Sequence, residues 1–309
     1  MPYCFWNNHV LQDESACIFE ADPYSIGIVY GVSSVGDDVN QFTFSTEVRA
    51  TIAQSVPNPR TLHTAVNARE EQKGYSLGGY DIYAPVYLNS IDGWSFVTST
   101  VFTTAITTSA SVQSAGGSES STKGYAFCGS RTGADDVIEA IIFATETNSA
   151  VAAVADTAAN SFASMNSAAD GVFAGGAASG NIDVIQKLSH STEVASTSAS
   201  TLSIAKAYAG GTESGPSGYI MGGQTSVYIS TVETYSFSSE AVATSAATLN
   251  DTRGVYDSTL SSKLKGYSIG GYDGALKSEI DGIDFVTGTS INPSAVLSAT
   301  SRGAACFTS

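Results

Sequence analysis

Gly74-Tyr75-Ser76-Leu77-Gly78-Gly79-Tyr80-Asp81 returns almost unchanged as Gly266-Tyr267-Ser268-Ile269-Gly270-Gly271-Tyr272-Asp273. Looser copies lie before and between them. The closing glycines are Gly31, Gly79, Gly129, Gly176, Gly223 and Gly271, at intervals of 48, 50, 47, 47 and 48 residues. A second row keeps step: Phe44, Phe96, Phe143, His190, Phe237 and Phe285, at intervals of 52, 47, 47, 47 and 48. Two rows locked to one period mean one structural unit repeated six times.

The fifth unit shows what the unit is. Gly218-Tyr219-Ile220-Met221-Gly222-Gly223 is a short apolar run closed by glycines, which reads as a buried strand. In Val232–Phe237, alternation puts Glu233, Tyr235 and Phe237 on one face, with the aromatics expected between neighbouring sheets. Ala241 to Thr248 reads as a third strand. A fourth, around Gly254-Val255-Tyr256, leads into the next unit. Four short strands per unit without helical periodicity predict an all-β, six-bladed β-propeller of four-stranded antiparallel blades.

The stretch TRGVYDSTLSSKLKGYSIGGYDG (252–274) resembles a kelch repeat: an arginine ahead of an inner strand, then an apolar strand closing on Gly-Gly. Phe237 and Trp94 lie near the later aromatic positions of that repeat. Cys128-Gly129 and Tyr30-Gly31 stand in for the glycine pair in the third and first units. The resemblance implies one propeller over residues 21–309, with residues 1–20 as an arm or closure segment. The segment Arg302–Phe307 is one inner strand too many for six units. Its favoured place is in the first blade beside Ile26–Tyr30, closing the ring; Ala16-Cys17-Ile18-Phe19 is the competing candidate.

Charged residues make up only 14%, yet 13 basic against 29 acidic side chains give a net charge of −16. That balance repels nucleic acid and anionic membranes. The chain has no 18-residue apolar run, so no membrane insertion is expected, and MPYCFWNNHV does not read as a secretory signal. Cys4, Cys17, Cys128 and Cys306 form neither a zinc pattern nor a disulfide framework; free thiols are expected, with one bridge between the termini left open.

No catalytic motif emerges, so the expectation is a protein that is not an enzyme and carries neither cofactor nor metal. His190 sits in the aromatic row and reads as packing; His63 reads as a buried or channel-lining residue. The acid pairs Asp37-Asp38, Asp135-Asp136 and Glu70-Glu71 read as solvated turns rather than a glycosidase pair. The kelch resemblance implies that loops before the inner strand and after the glycine strand share one face. Arg60, Lys206, Arg253 and Arg302 are then expected to ring the mouth as a positive funnel. Tyr80, Asp81, Arg131, Gln224, Tyr272 and Asp273 would stand outside them. The arginines could equally bond neighbouring carbonyls, and both readings stand at this point.

Low charge, Ser/Thr/Ala richness and short loops resemble virion proteins. The expectation is a structural or receptor-binding component of a virus particle, such as that of a tailed phage, made in the host cytoplasm and part of a larger assembly. Its partners would be other virion proteins or a host surface receptor or glycan. The alternative is a cellular kelch-like module or lectin; a propeller glycosidase ranks below both.

Overall fold

The first strand of sheet one comes from the far end of the chain. Ala305–Thr308 pairs antiparallel with Ile26–Val32, placing Phe307 opposite Ile28 and Cys306 opposite Val29. Asp38–Thr43 and Val48–Ser55 complete that sheet. The closure favoured from the sequence is therefore the one observed. The structure is a computed structural model that describes residues 5–6, 9–10, 25–32, 37–131 and 133–309. The competing segment Ala16–Phe19 lies outside the described residues. Phe5–Trp6 pairs with His9–Val10 as a small ribbon.

Among the described residues the fold is all β, with no helix. Five further sheets follow, each an antiparallel path of four strands. Sheet two begins at Thr64–Ala68, sheet three at Gly116–Glu119, and sheet four at Ala163–Asn166. Sheet five begins at Gly210–Ser214 and sheet six at Thr259–Ser261. Sheet six carries an additional strand, Val296–Ser301, on Leu276–Asp284. Arg60–Thr61, Tyr80–Asp81 and Val86–Tyr87 form a separate three-stranded patch. The six first strands touch one another in a closed cycle, sheet two to three and onward to six, then to Ala305–Thr308 and back to sheet two.

Both sequence rows have a physical task. The closing glycines lie at φ between 83° and 117°. A Cβ on Gly271 would sit 2.5 Å from the Gly254 carbonyl oxygen, so only glycine fits there. The aromatic row stacks across sheets: Phe143 on Tyr75 at 5.6 Å, Phe44 on Tyr267 at 5.7 Å and Phe285 on Tyr219 at 4.7 Å. Such pairs contribute about 0.5–1.5 kcal/mol each beyond their buried area. His190 does the same on Tyr125, 5.8 Å apart and nearly parallel, as its place in the row predicts.

One strand expectation needs correcting. Gly254-Val255-Tyr256 is not the first strand of sheet six, which starts at Thr259. Tyr256 and Asp257 both take positive φ, which breaks the extended run. Every unit repeats this break: Leu62, Ser114, Ser161, Tyr208, Tyr256 and Gly303 all lie at φ between 53° and 64°. Their backbones form a hydrogen-bonded series. Leu62 N donates to Gly303 O, Ser114 N to Leu62 O, Ser161 N to Ser114 O, Tyr208 N to Ser161 O and Tyr256 N to Tyr208 O, at 2.8–3.0 Å. The basic residues thus stand just before a left-handed corner rather than leading straight into the first strand of a sheet, and this decides where their side chains go.

Candidate functional site

Arg60, Lys206 and Arg253 occupy one register of the repeat together with Val112, Ala159 and Ser301, and all six residues are buried. The three cations are 0% exposed. Arg60 Nη1 donates to Gly78 O at 2.7 Å and Ser90 O at 3.0 Å, and Nη2 donates to Ser90 Oγ and to the Asp92 carboxylate. Arg253 donates to Ser268 Oγ at 3.0 Å and to Asp281. Lys206 meets Glu233 at 2.5 Å. Burial lifts the Asp92 carboxyl above its ordinary value, and Arg60 opposes that lift. The expected positive funnel of these three residues is thereby corrected. They are internal ion pairs whose charge is spent inside the sheets that hold them.

The remaining candidates divide. Arg131 is held by Asp135 at 2.6 Å and Glu139 at 3.3 Å. Asp81 accepts hydrogen bonds from the backbone of Tyr83 and Ala84, capping its own turn. Asp273 is paired with Lys277 at 2.8 Å. The Gln224 carbonyl accepts from Asn181 Nδ2 at 2.7 Å. Arg302, Tyr80 and Tyr272 do come together, around a concave pocket of about 570 Å³ that Thr61, Ile82, Tyr87, Gln113 and Leu276 help to line.

Arg302 differs from Arg253 by one register. Ser301, not Arg302, holds the buried place, and the step of one residue turns the next side chain to the other side of the backbone. The Arg302 guanidinium lies 5.1 Å from the Tyr272 ring centre and 5.7 Å from that of Tyr256. Tyr208 extends the array from Tyr256 at 4.7 Å, and Tyr228 extends it from Tyr272 at 5.9 Å. Burial, the largest influence, pushes the Tyr256 hydroxyl up to about 12, so that hydroxyl stays neutral over the physiological range.

A second, larger cavity of about 1080 Å³ lies at the other end of the first strands. It opens from a narrow central space lined by all six first strands. Its floor is a row at the repeat period: Asn67, Glu119, Asn166, Glu213 and Ser261, with Thr308 beside them in the central space. Burial pushes Glu213 up to about 7, with Glu119 adding to the rise and Arg69 opposing it. Burial pushes Asp257 up to about 6 despite hydrogen bonds from Ser164 N and Gly211 N.

His63 and His190 are both held in place. His63 Nε2 accepts from Ala305 N at 2.9 Å, and its Nδ1 meets Ser76 Oγ at 2.5 Å, tying sheet two to the closing strand. Burial holds both His63 and His190 below the usual imidazole value. Cys128 and Cys306 are free, buried thiols. Among the described residues no group of three His, Cys, Asp or Glu side chains converges as a metal site. No helix of the described residues is long and apolar enough to cross a membrane.

A row of glutamates escaped the sequence reading. Glu47, Glu146, Glu193 and Glu240 each follow the aromatic row by three residues, in a left-handed turn position. Each reaches a lysine of the neighbouring sheet: Lys265, Lys73, Lys123 and Lys187. Three also accept from a neighbouring tyrosine hydroxyl, Tyr267, Tyr75 or Tyr125. The signal was present as Phe-x-x-Glu in three units and His190-x-x-Glu193 in a fourth. No protein-family model matches this chain, and no curated protein matches it.

Proposed function

We propose that the chain is a six-bladed, kelch-like propeller that works as a non-enzymatic binding or assembly module. Its working surface is the end carrying Arg302, Tyr80 and Tyr272. The fold part of this reading is supported by the cyclic contact of the first strands, the six left-handed corners and the C-terminal strand in sheet one. The single observation that carries the functional part is the pocket where a partly exposed guanidinium lies among tyrosine rings. Arginine and tyrosine are the residues that most often dominate recognition surfaces. The setting we propose is a virus particle, with other virion proteins or a host surface receptor as partners. Low charge and the Ser/Thr-rich outer strands support that setting.

The test is Tyr80→Ala with Tyr272→Ala in one chain. Both rings are partly exposed, so the protein should fold and melt near the parent. Its incorporation into the particle, or its binding to host surface material, should fall at least about tenfold, the loss of roughly 1.4 kcal/mol or more. A folded double variant that joins its assembly and binds as the parent does would overturn the choice of surface.

A further inference from the structure

We propose that the Arg302 pocket takes a saccharide ending in a carboxylated sugar, such as a terminal hexuronate. This deepens, and rests on, the reading that this end is the binding surface. Ten of the basic side chains make an ion pair with a carboxylate in the structure. Among the described residues Arg302 has no such ion pair; it lies over the rings of Tyr256 and Tyr272 and gives one hydrogen bond to the Tyr256 hydroxyl, which leaves its other donors for a ligand. A guanidinium on an aromatic face keeps its donor edge in plane, where it matches a carboxylate through two parallel hydrogen bonds.

The surroundings favour one isolated negative charge. Asp81 is turned into its own cap, and Asp273 is neutralised by Lys277. A single cation set in a chain of net charge −16 cannot hold a polyanion, whose other charges would be repelled. Nucleic acid and acidic peptide tracts are therefore disfavoured. An extended peptide would also want an open sheet edge, whereas Tyr80–Asp81 is already paired on both sides, with Arg60–Thr61 and Val86–Tyr87. What remains beside the cation is aromatic: Tyr80 and Tyr87, edge to face at 5.9 Å from each other, line the pocket with Tyr272, and Gln113 adds a neutral hydrogen-bonding group. Aromatic faces take the C–H face of a pyranose, and an amide takes its hydroxyls. The pocket volume is in the range of small-ligand sites.

Methyl β-glucuronide and its neutral counterpart methyl β-glucoside, titrated calorimetrically into the intact chain, separate charge from shape. The glucuronide should bind at millimolar concentration or better and at least about tenfold more tightly than the glucoside. Its affinity should fall as salt rises. Arg302→Met keeps the apolar stem and should lose that preference about tenfold, while Arg302→Lys should retain part of it. Absence of glucuronide binding, equal affinity for the two sugars, or an unchanged preference in a folded Arg302→Met chain would overturn the proposal. If the sugars fail while Tyr80→Ala/Tyr272→Ala still abolishes attachment to the biological partner, only the sugar class falls. If attachment also survives that double change, the surface itself is misassigned.

Discussion

Arg253 and Arg302 stand before equivalent left-handed corners of successive units, yet they live in different worlds. Arg253 is fully buried and paired with Asp281; Arg302 is partly exposed and rests on two tyrosines. Their separation of 49 residues exceeds the unit length there by one. In an extended backbone one residue reverses the side a side chain points to. The same residue type is therefore a structural pin in one register and an available cation in the next. Six sheets of similar build allow this division, because five keep the frame while one drifts.

The strongest way to sharpen that comparison is to remove both roles of the tail at once. Deleting residues 300–309 takes away Arg302 together with the strand that fills sheet one. Phe307 alone packs on Tyr30 at 5.6 Å and occupies space against Gly74. The expected cost is several kcal/mol, from lost strand hydrogen bonds and exposed apolar area. A truncated chain that melts within about 2 °C of the parent would show that the closing strand carries little.

Single substitutions separate the registers. Arg60→Met or Arg253→Met strands a buried carboxylate and should cost about 3–5 kcal/mol. Arg302→Met should stay within about 0.5 kcal/mol of the parent. Replacing Arg60 and Asp92 together by Met and Leu should recover most of the first loss, because a well-packed apolar pair needs no desolvated charge. Denaturant melts of the four chains read these differences directly, and equal losses at Arg253 and Arg302 would erase the distinction.

Much of the architecture was legible because its causes are local. Glycine is forced where Gly271 meets a carbonyl, and an aromatic is wanted where Phe143 stacks on Tyr75. Both leave single-letter traces at a fixed period. The extra segment at the C-terminus was legible by counting strands. The candidate site was less so. Whether an arginine is buried depends on a one-residue register that a period known only to within one or two residues does not resolve. The acidic row Glu119 and Glu213 was missed for a different reason. Its members alternate with Asn67, Asn166 and Ser261, so no single residue type recurs at successive periods, and only the cycle of first strands brings them together.

The acidic groups of the central space give the pH counterpart of the comparison. Glu213 and Asp257 have folded values of about 7 and about 6, above their ordinary 4.5 and 3.8. A carboxyl whose value is raised on folding binds its proton more tightly in the native state. The native state therefore gains stability as pH falls from about 8 to about 5, and the gain levels off near the unfolded values. The melting temperature should rise over that window. Glu213→Gln should flatten the rise and stabilise the chain at pH 8. A melting temperature that falls steadily from pH 8 to 5 would contradict the burial of these groups.

A small effect is also expected at His190. Phe fills the equivalent place in five of six units. His190→Phe forfeits the 2.9 Å contact of Nε2 with Ser118 Oγ but keeps the stack on Tyr125. The substitution should leave stability within about 1 kcal/mol, and binding at the Arg302 pocket should not move. A large loss would mean that the hydrogen bond, not the ring, is what that position requires.

The division between pinned and available arginines has one direct readout. Phenylglyoxal labelling of the native chain, followed by peptide mass spectrometry, reports which guanidinium groups reach solvent. Arg302 should be labelled, while Arg60 and Arg253 should stay unmodified until the protein is unfolded. Labelling of Arg60 or Arg253 in the native chain at the rate of Arg302 would contradict the account.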